Sequence, residues 1–160
     1  MGIIIGITGS HGAGKDTVGL ILSVELNAPV KKFSIIPNDE FFHKTGINFL
    51  TISRVKKEKY RQQFINYCER KCKKNPKYWV NRFDKANEAE SFIITDVYKQ
   101  IERDYILSKK GIIIQIKKKF LEETLPYVLE ENVIINNGSY PELIKKVQQW
   151  LIRHQYVVQK

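Results

Sequence analysis

The sequence predicts an α/β protein of three layers, with about five parallel strands and helices on both faces of the sheet. Two observations carry that prediction. Five short runs are apolar on consecutive positions and rich in isoleucine and valine, as strands buried on both faces of a parallel sheet must be. These runs alternate with longer amphipathic segments, which is the βαβ rhythm of a sheet covered by its own crossover helices.

The elements follow in order. Ile3–Thr8 is the first strand, and it runs straight into Gly9-Ser10-His11-Gly12-Ala13-Gly14-Lys15-Asp16-Thr17. A helix is expected over Lys15–Leu26, and Val30–Ile35 reads as a second strand. Helices are then expected over Asp39–Lys44, Arg54–Cys72 and Tyr78–Asn87. No strand pattern interrupts them, so 41–90 reads as a helical insertion between the second and third strands. Strands Phe92–Asp96 and Gly111–Ile116 flank a helix over Lys99–Lys109, and Val133–Asn136 is the last strand. Asn137-Gly138-Ser139 then turns into a final helix reaching about His154. Pro141 lies in its first turn, where a missing N–H leaves no bond unmade.

A chain of 160 residues reads as one domain, 1–160, with enough length for a real core. The apolar share of 42% suits a globular protein. No apolar stretch approaches the ~20 residues that span a bilayer. The N-terminal run is a strand rather than a leader peptide, so the expected place is the cytoplasm, or the host cytoplasm for a viral gene. Cys68 and Cys72 lie four apart on one predicted helix and read as a pair of reduced thiols, with too few other ligands for zinc. The net charge of +10 gathers between Lys56 and Lys77 and at Lys117, Lys118 and Lys119. It implies weak, non-specific attraction to nucleic acid on an otherwise solvated surface. The chain is expected to be a monomer or a dimer.

The most specific signal is the loop after the first strand. A phosphate-binding loop requires Gly, four residues, then Gly-Lys, and Gly9, Gly14 and Lys15 satisfy it. Gly9, His11, Gly12, Ala13 and Gly14 curl around an anion with backbone N–H groups pointing inward. The helix that follows turns its positive end to the same phosphates. Lys15 supplies a point charge to the outer phosphates and is expected to face solvent when no ligand is bound. The common motif has Ser or Thr directly after the lysine, where a hydroxyl binds magnesium. Here Asp16 stands there and Thr17 follows. Asp16 also suits the first turn of a helix without touching metal.

Ligands of such sheets sit at the carboxyl ends of the strands, which selects the remaining candidates. Asp96 ends the third strand, where a carboxylate can organise magnesium or accept a proton or hydrogen bond. It also suits the N-cap of the next helix, and the two roles are compatible. Phosphoryl transfer needs cations beyond Lys15, and arginine grips phosphate with a planar fork. Of six arginines, Arg61 in the insertion is the first choice for an acceptor phosphate. Tyr78 and Trp79 read as core anchors. Asn136, Asn137 and Gly138 form a turn that can approach an adenine edge, although Asn-Gly is also an ordinary turn.

Together, G-S-H-G-A-G-K-D-T, K-Y-R-Q-Q-F, N-P-K-Y-W-V, F-I-I-T-D-V-Y and V-I-I-N-N-G resemble the phage-type deoxynucleoside monophosphate kinases and the related animal-type phosphomevalonate kinases. Both are P-loop kinases with a nucleoside-monophosphate-kinase fold. The resemblance implies that Gly12, Gly14, Lys15, Asp16 and Thr17 hold ATP phosphates and Mg2+. It implies that Arg61 meets the acceptor, that Asp96 sits at the reacting centre and that Asn136 to Gly138 lie near the adenine. The stretch 117–129 stands where that family carries its lid. The chain departs from the pattern in three places. Asp96-Val97-Tyr98 has tyrosine where the family has arginine, Phe33-Ser34-Ile35-Ile36-Pro37-Asn38 differs from the family's Phe-Ala-Asp-Pro-x-Lys, and the lid stretch has no arginine.

The function this implies is ATP-dependent phosphoryl transfer to a small phosphorylated acceptor, a nucleoside or deoxynucleoside monophosphate. Phosphomevalonate is the alternative acceptor. A nucleotide-gated nucleic-acid binder, and a decayed kinase that only binds ATP, are alternatives from other classes.

Overall fold

The computed structural model describes residues 2–87, 91–121 and 128–156. It places Ile4–Thr8 (β1) at the centre of a five-stranded sheet, with Val30–Lys31 (β2) and Phe92–Ile94 (β3) on one side and Ile112–Lys117 (β4) and Val133–Ile135 (β5) on the other. The order is β2-β3-β1-β4-β5 and every pairing is parallel. The helices are Lys15–Leu26 (α1), Ile35–Thr45 (α2), Arg54–Lys74 (α3), Tyr78–Ala86 (α4), Gln100–Ser108 (α5) and Tyr140–Arg153 (α6).

The chain forms two compact units, one of Met1–Lys32 with Ala89–Lys160 and one of Phe33–Glu88. In the first, alternation along the strands sends Ile5, Ile7, Ile93, Ile114, Ile116 and Ile134 to one face of the sheet. There they pack with Val18 and Leu22 of α1 and with Leu143, Val147, Trp150 and Leu151 of α6. On the other face α5 lies close to the sheet, with Ile106 and Ile113 filling the space left by Gly6. The sheet is thus covered on both faces, which explains its near-continuous apolar strands.

The second strand is shorter than its apolar run implies. Lys31, paired with Ile94, is its last residue, and Ile35 already belongs to α2. Two isoleucines in a row fit a buried helix as well as a strand, and Pro37 decides between them. In the first helical turn proline loses no hydrogen bond, whereas in a strand it would remove one from the ladder.

In the helical unit, α2, α3 and α4 enclose Phe41, Tyr67 and Trp79. The Trp79 indole donates to the Cys68 carbonyl at 3.3 Å, so Trp79 is a core anchor. Cys68 and Cys72 are partly buried and pack on this core. Beneath a ring of cations and phenols, Glu40 (side chain 19% exposed) accepts from Arg82 at 2.9 Å and Tyr78 at 3.1 Å. The Tyr67 hydroxyl adds a bond at 3.3 Å, so one carboxylate ties α2 to both other helices. Among the described residues no helix is long and apolar enough to cross a membrane.

Candidate active site

The phosphate loop joins β1 to α1 at the carboxyl edge of the sheet. Its last residue, Gly14, has φ 99°, a backbone state that a side chain disfavours. A Cβ there would also meet the Asn136 amide nitrogen at 2.5 Å. That nitrogen instead donates to the Ala13 carbonyl at 2.8 Å. The Asn136 backbone N–H donates to the Lys117 carbonyl at 2.8 Å, and the Asn137 side chain accepts from the Lys119 N–H at 2.6 Å. At Gly138 the space beside the backbone is filled by the Glu142 carboxylate. That carboxylate accepts from the Ser139 N–H at 2.6 Å and fixes the start of α6. The turn 136–138 is therefore built against the loop and the end of β4. The stretch 122–127, within the 117–129 segment assigned above to a lid, lies outside the described residues.

Lys15 does not face solvent, contrary to the expectation from its motif. It is 8% exposed, and its ammonium donates to the Gly9 carbonyl at 2.8 Å and the Ser10 carbonyl at 2.9 Å. It also stands 5.2 Å from the centre of the Tyr98 ring. The ammonium thus satisfies donors on the loop's own carbonyls. Burial pushes its pKa below the ordinary lysine value, against the opposing pull of Asp16 and then Asp96.

Asp16 projects from the first turn of α1 toward the ends of β2 and β3. Its Oδ1 accepts from the Thr95 hydroxyl at 2.7 Å and pairs with the Lys32 ammonium at 2.9 Å. Burial alone would raise its pKa, but the bonds from Lys32 and Thr95 outweigh it and hold the carboxyl below the ordinary aspartate value. Both anchors take the same oxygen, and no described residue bonds Oδ2, on a side chain 67% exposed. α1 comes this close because residue 19 is glycine; a Cβ there would overlap the Thr95 methyl group.

Asp96 lies just beyond β3, half-buried, and its charge is felt by Lys15 and Tyr98. It is not the cap of α5. That helix begins after Lys99, and Glu102 accepts from the Tyr98 and Lys99 N–H groups at 2.8 Å and 2.9 Å. Thr17 is half-buried one residue after Asp16, and His11 and Gly12 are exposed on the loop. Arg61 belongs to the helical unit, where its guanidinium meets Glu58 through bonds of 3.1 Å and 2.6 Å.

The donors near the loop are hard oxygens, and Asp16 has one carboxylate oxygen with no described partner. Among the described residues no three His, Cys, Asp or Glu side chains cluster as a metal cage. Magnesium does not need one, since it commonly takes one or two carboxylates together with substrate phosphates and water. Asp16 and Asp96, both near enough to Lys15 for their charges to act on it, could supply such carboxylates.

Sequence reasoning missed Lys32, Thr95 and Tyr98. Lys32 and Thr95 become neighbours through the register that pairs Lys31 with Ile94, which no local motif states. Tyr98 was visible only as the residue in place of an arginine.

No family model matches the chain, and no curated protein matches it. Solved structures do match over nearly its whole length. A shikimate kinase from Aquifex aeolicus superposes with TM-score 0.58 at 16% identity, covering 96% of this chain and 98% of that one. A gluconokinase from Sinorhizobium meliloti gives 0.54 at 14% identity, covering 96% and 93%. An APS kinase from Mycobacterium tuberculosis, solved with AMPPNP and APS, gives 0.50 at 9% identity, covering 94% and 98%. At such identities the likeness is one of fold. The chain has a P-loop kinase-like α/β fold with an all-parallel sheet.

Proposed function

We propose that this chain is a P-loop phosphotransferase that moves the terminal phosphoryl group of ATP to a small phosphorylated acceptor, a nucleoside or deoxynucleoside monophosphate. One observation carries the proposal: a complete Gly-Lys loop at the carboxyl edge of a parallel sheet, with Lys15, Asp16 and Asp96 gathered beside it.

The chemistry follows from charge. The transferred group carries its charge on its outer oxygens, and catalysis is mostly positioning and neutralisation. Lys15 exchanges the Gly9 and Ser10 carbonyls for phosphate oxygens, whose negative charge favours the protonated ammonium. The loop N–H groups and the start of α1 hold the donor phosphates. Asp16, Thr17 and Asp96 would hold Mg2+, which would supply positive charge to the donor phosphates. Asp96 is proposed also to orient the acceptor. Arg61 is the proposed grip on the acceptor phosphate, and the turn at Asn136, Asn137 and Gly138 the proposed neighbour of the adenine.

The test is an ADP-release assay with ATP and a panel of nucleoside and deoxynucleoside monophosphates plus phosphomevalonate. Turnover with a monophosphate is expected. Turnover with phosphomevalonate alone moves the chain to the other acceptor. ATP binding with no turnover on any acceptor identifies a nucleotide-binding protein. Oligonucleotide binding that survives physiological salt favours the nucleic-acid class, because non-specific phosphate contacts weaken steeply with salt.

A further inference from the structure

We infer that Lys32 is an exchangeable cation of the phosphate site, which neutralises Asp16 when no metal is bound and serves substrate phosphate when Mg2+ takes the carboxylate. The inference rests on the proposal that the loop binds Mg·ATP.

The placement is built rather than incidental. β2 pairs Val30 with Ile93 and Lys31 with Ile94, and the Thr95 N–H donates to the Lys31 carbonyl at 3.3 Å. The next residues, Lys32 and Thr95, therefore leave the sheet side by side. Both reach the same Asp16 oxygen, at 2.9 Å and 2.7 Å. Their roles differ. The Thr95 hydroxyl is short and buried, so it fixes the carboxylate in place. The Lys32 ammonium is at the end of a long stem, partly exposed, and can move without disturbing the sheet.

Charge explains why it would move. Asp16 next to a phosphate loop is an anion facing anions, and in the absence of metal it needs a counter-charge. A divalent cation there and the Lys32 ammonium repel each other, so the two cannot share the carboxylate at full strength. Lys32 supplies a cation at this edge of the sheet that no motif announces.

The experiment compares the parent, Lys32→Met and Lys32→Arg by two binding measurements. Mn2+ affinity of the ATP complex is read by electron paramagnetic resonance, and metal-free ATP affinity by calorimetry in chelator. In Lys32→Met, Mn2+ is expected to bind roughly two- to fivefold more tightly, the size of one exposed ion pair removed from competition. Metal-free ATP is expected to bind roughly threefold more weakly, because Asp16 without its ion-pair partner is then an uncompensated anion facing the phosphates. Lys32→Arg should keep parent-like affinity for metal-free ATP. A purely structural role would move both affinities of Lys32→Met downward, and that result, or no change in either, overturns the inference while leaving the Mg·ATP proposal standing. Failure of the parent to bind Mn·ATP overturns both.

Discussion

The Asn136 amide donates to the carbonyl of Ala13 at 2.8 Å, across 123 residues of sequence. It also fills the space that a side chain on Gly14 would need. The phosphate loop is thus braced by the turn at the end of the last strand. Asn136→Ala leaves that carbonyl without its partner and opens a gap beside Gly14. We expect a stability loss of about 1–2 kcal/mol and a larger loss of ATP affinity than of thermal stability. Urea unfolding and ATP calorimetry on the same variant check this; unchanged ATP affinity would show that the loop holds its shape without the brace.

Lys15 offers a second prediction, on the conflict between stability and function. Its buried ammonium bonds two carbonyls, yet burial dominates and lowers its pKa. The charge is therefore a net burden on the ligand-free fold. Lys15→Met should melt at or above the parent temperature without nucleotide and lose the upward shift that ATP gives the parent. A variant that unfolds would mean that the two carbonyl bonds outweigh the burial.

A third prediction concerns the packing of Gly19 against Thr95. In an exposed helix Gly→Ala would stabilise by about 1 kcal/mol. Here the added methyl meets the Thr95 methyl, which the sheet holds in place. Overpacking of this kind costs about 1–3 kcal/mol, so Gly19→Ala should be net destabilising. Thr95→Ser removes the offending methyl and keeps the hydroxyl bonded to Asp16. The double variant should recover most of the loss in urea unfolding, and additive losses would refute the methyl overlap as the cause.

Glu102 sets a pH dependence. Burial raises its carboxyl above the ordinary value of 4.5, while the Tyr98 and Lys99 N–H groups pull the other way without winning. The folded chain thus holds this proton more tightly than the unfolded chain. That contribution to stability is full below pH 4.5 and is lost as pH rises through the raised value. The stability of the parent relative to Glu102→Gln should therefore decline as pH climbs from 4.5 through that range. Urea unfolding at a series of pH values measures the gap, and a gap that stays constant contradicts the assignment.

Much of this protein was legible in one dimension. Isoleucine-rich runs such as Ile3–Thr8 and Gly111–Ile116 announce buried strands because a parallel sheet hides both faces. The loop from Gly9 to Thr17 announces itself because its glycines and lysine act through local backbone geometry. Trp79 also read correctly as a core anchor. The run Val30–Ile35 did not, since consecutive isoleucines satisfy either a strand or a buried helix, and only the short pairing with β3 and the position of Pro37 settle it.

The sequence by itself determined the class of fold and the place of the Gly-Lys loop between the first strand and the first helix, because each rests on neighbours in the chain. Tertiary structure alone decided what those residues touch. Lys15 turns inward onto its own loop because the curl of that loop brings the Gly9 and Ser10 carbonyls to 2.8 Å and 2.9 Å from its ammonium. Asn136 braces Ala13 because β5 lies beside β4 at the same edge as β1. Lys32 and Thr95 converge on Asp16 because the register of β2 on β3 ends them together and Gly19 lets α1 come close. Such contacts depend on strand order and register, and those are set by the packing of the whole sheet rather than by any segment of it.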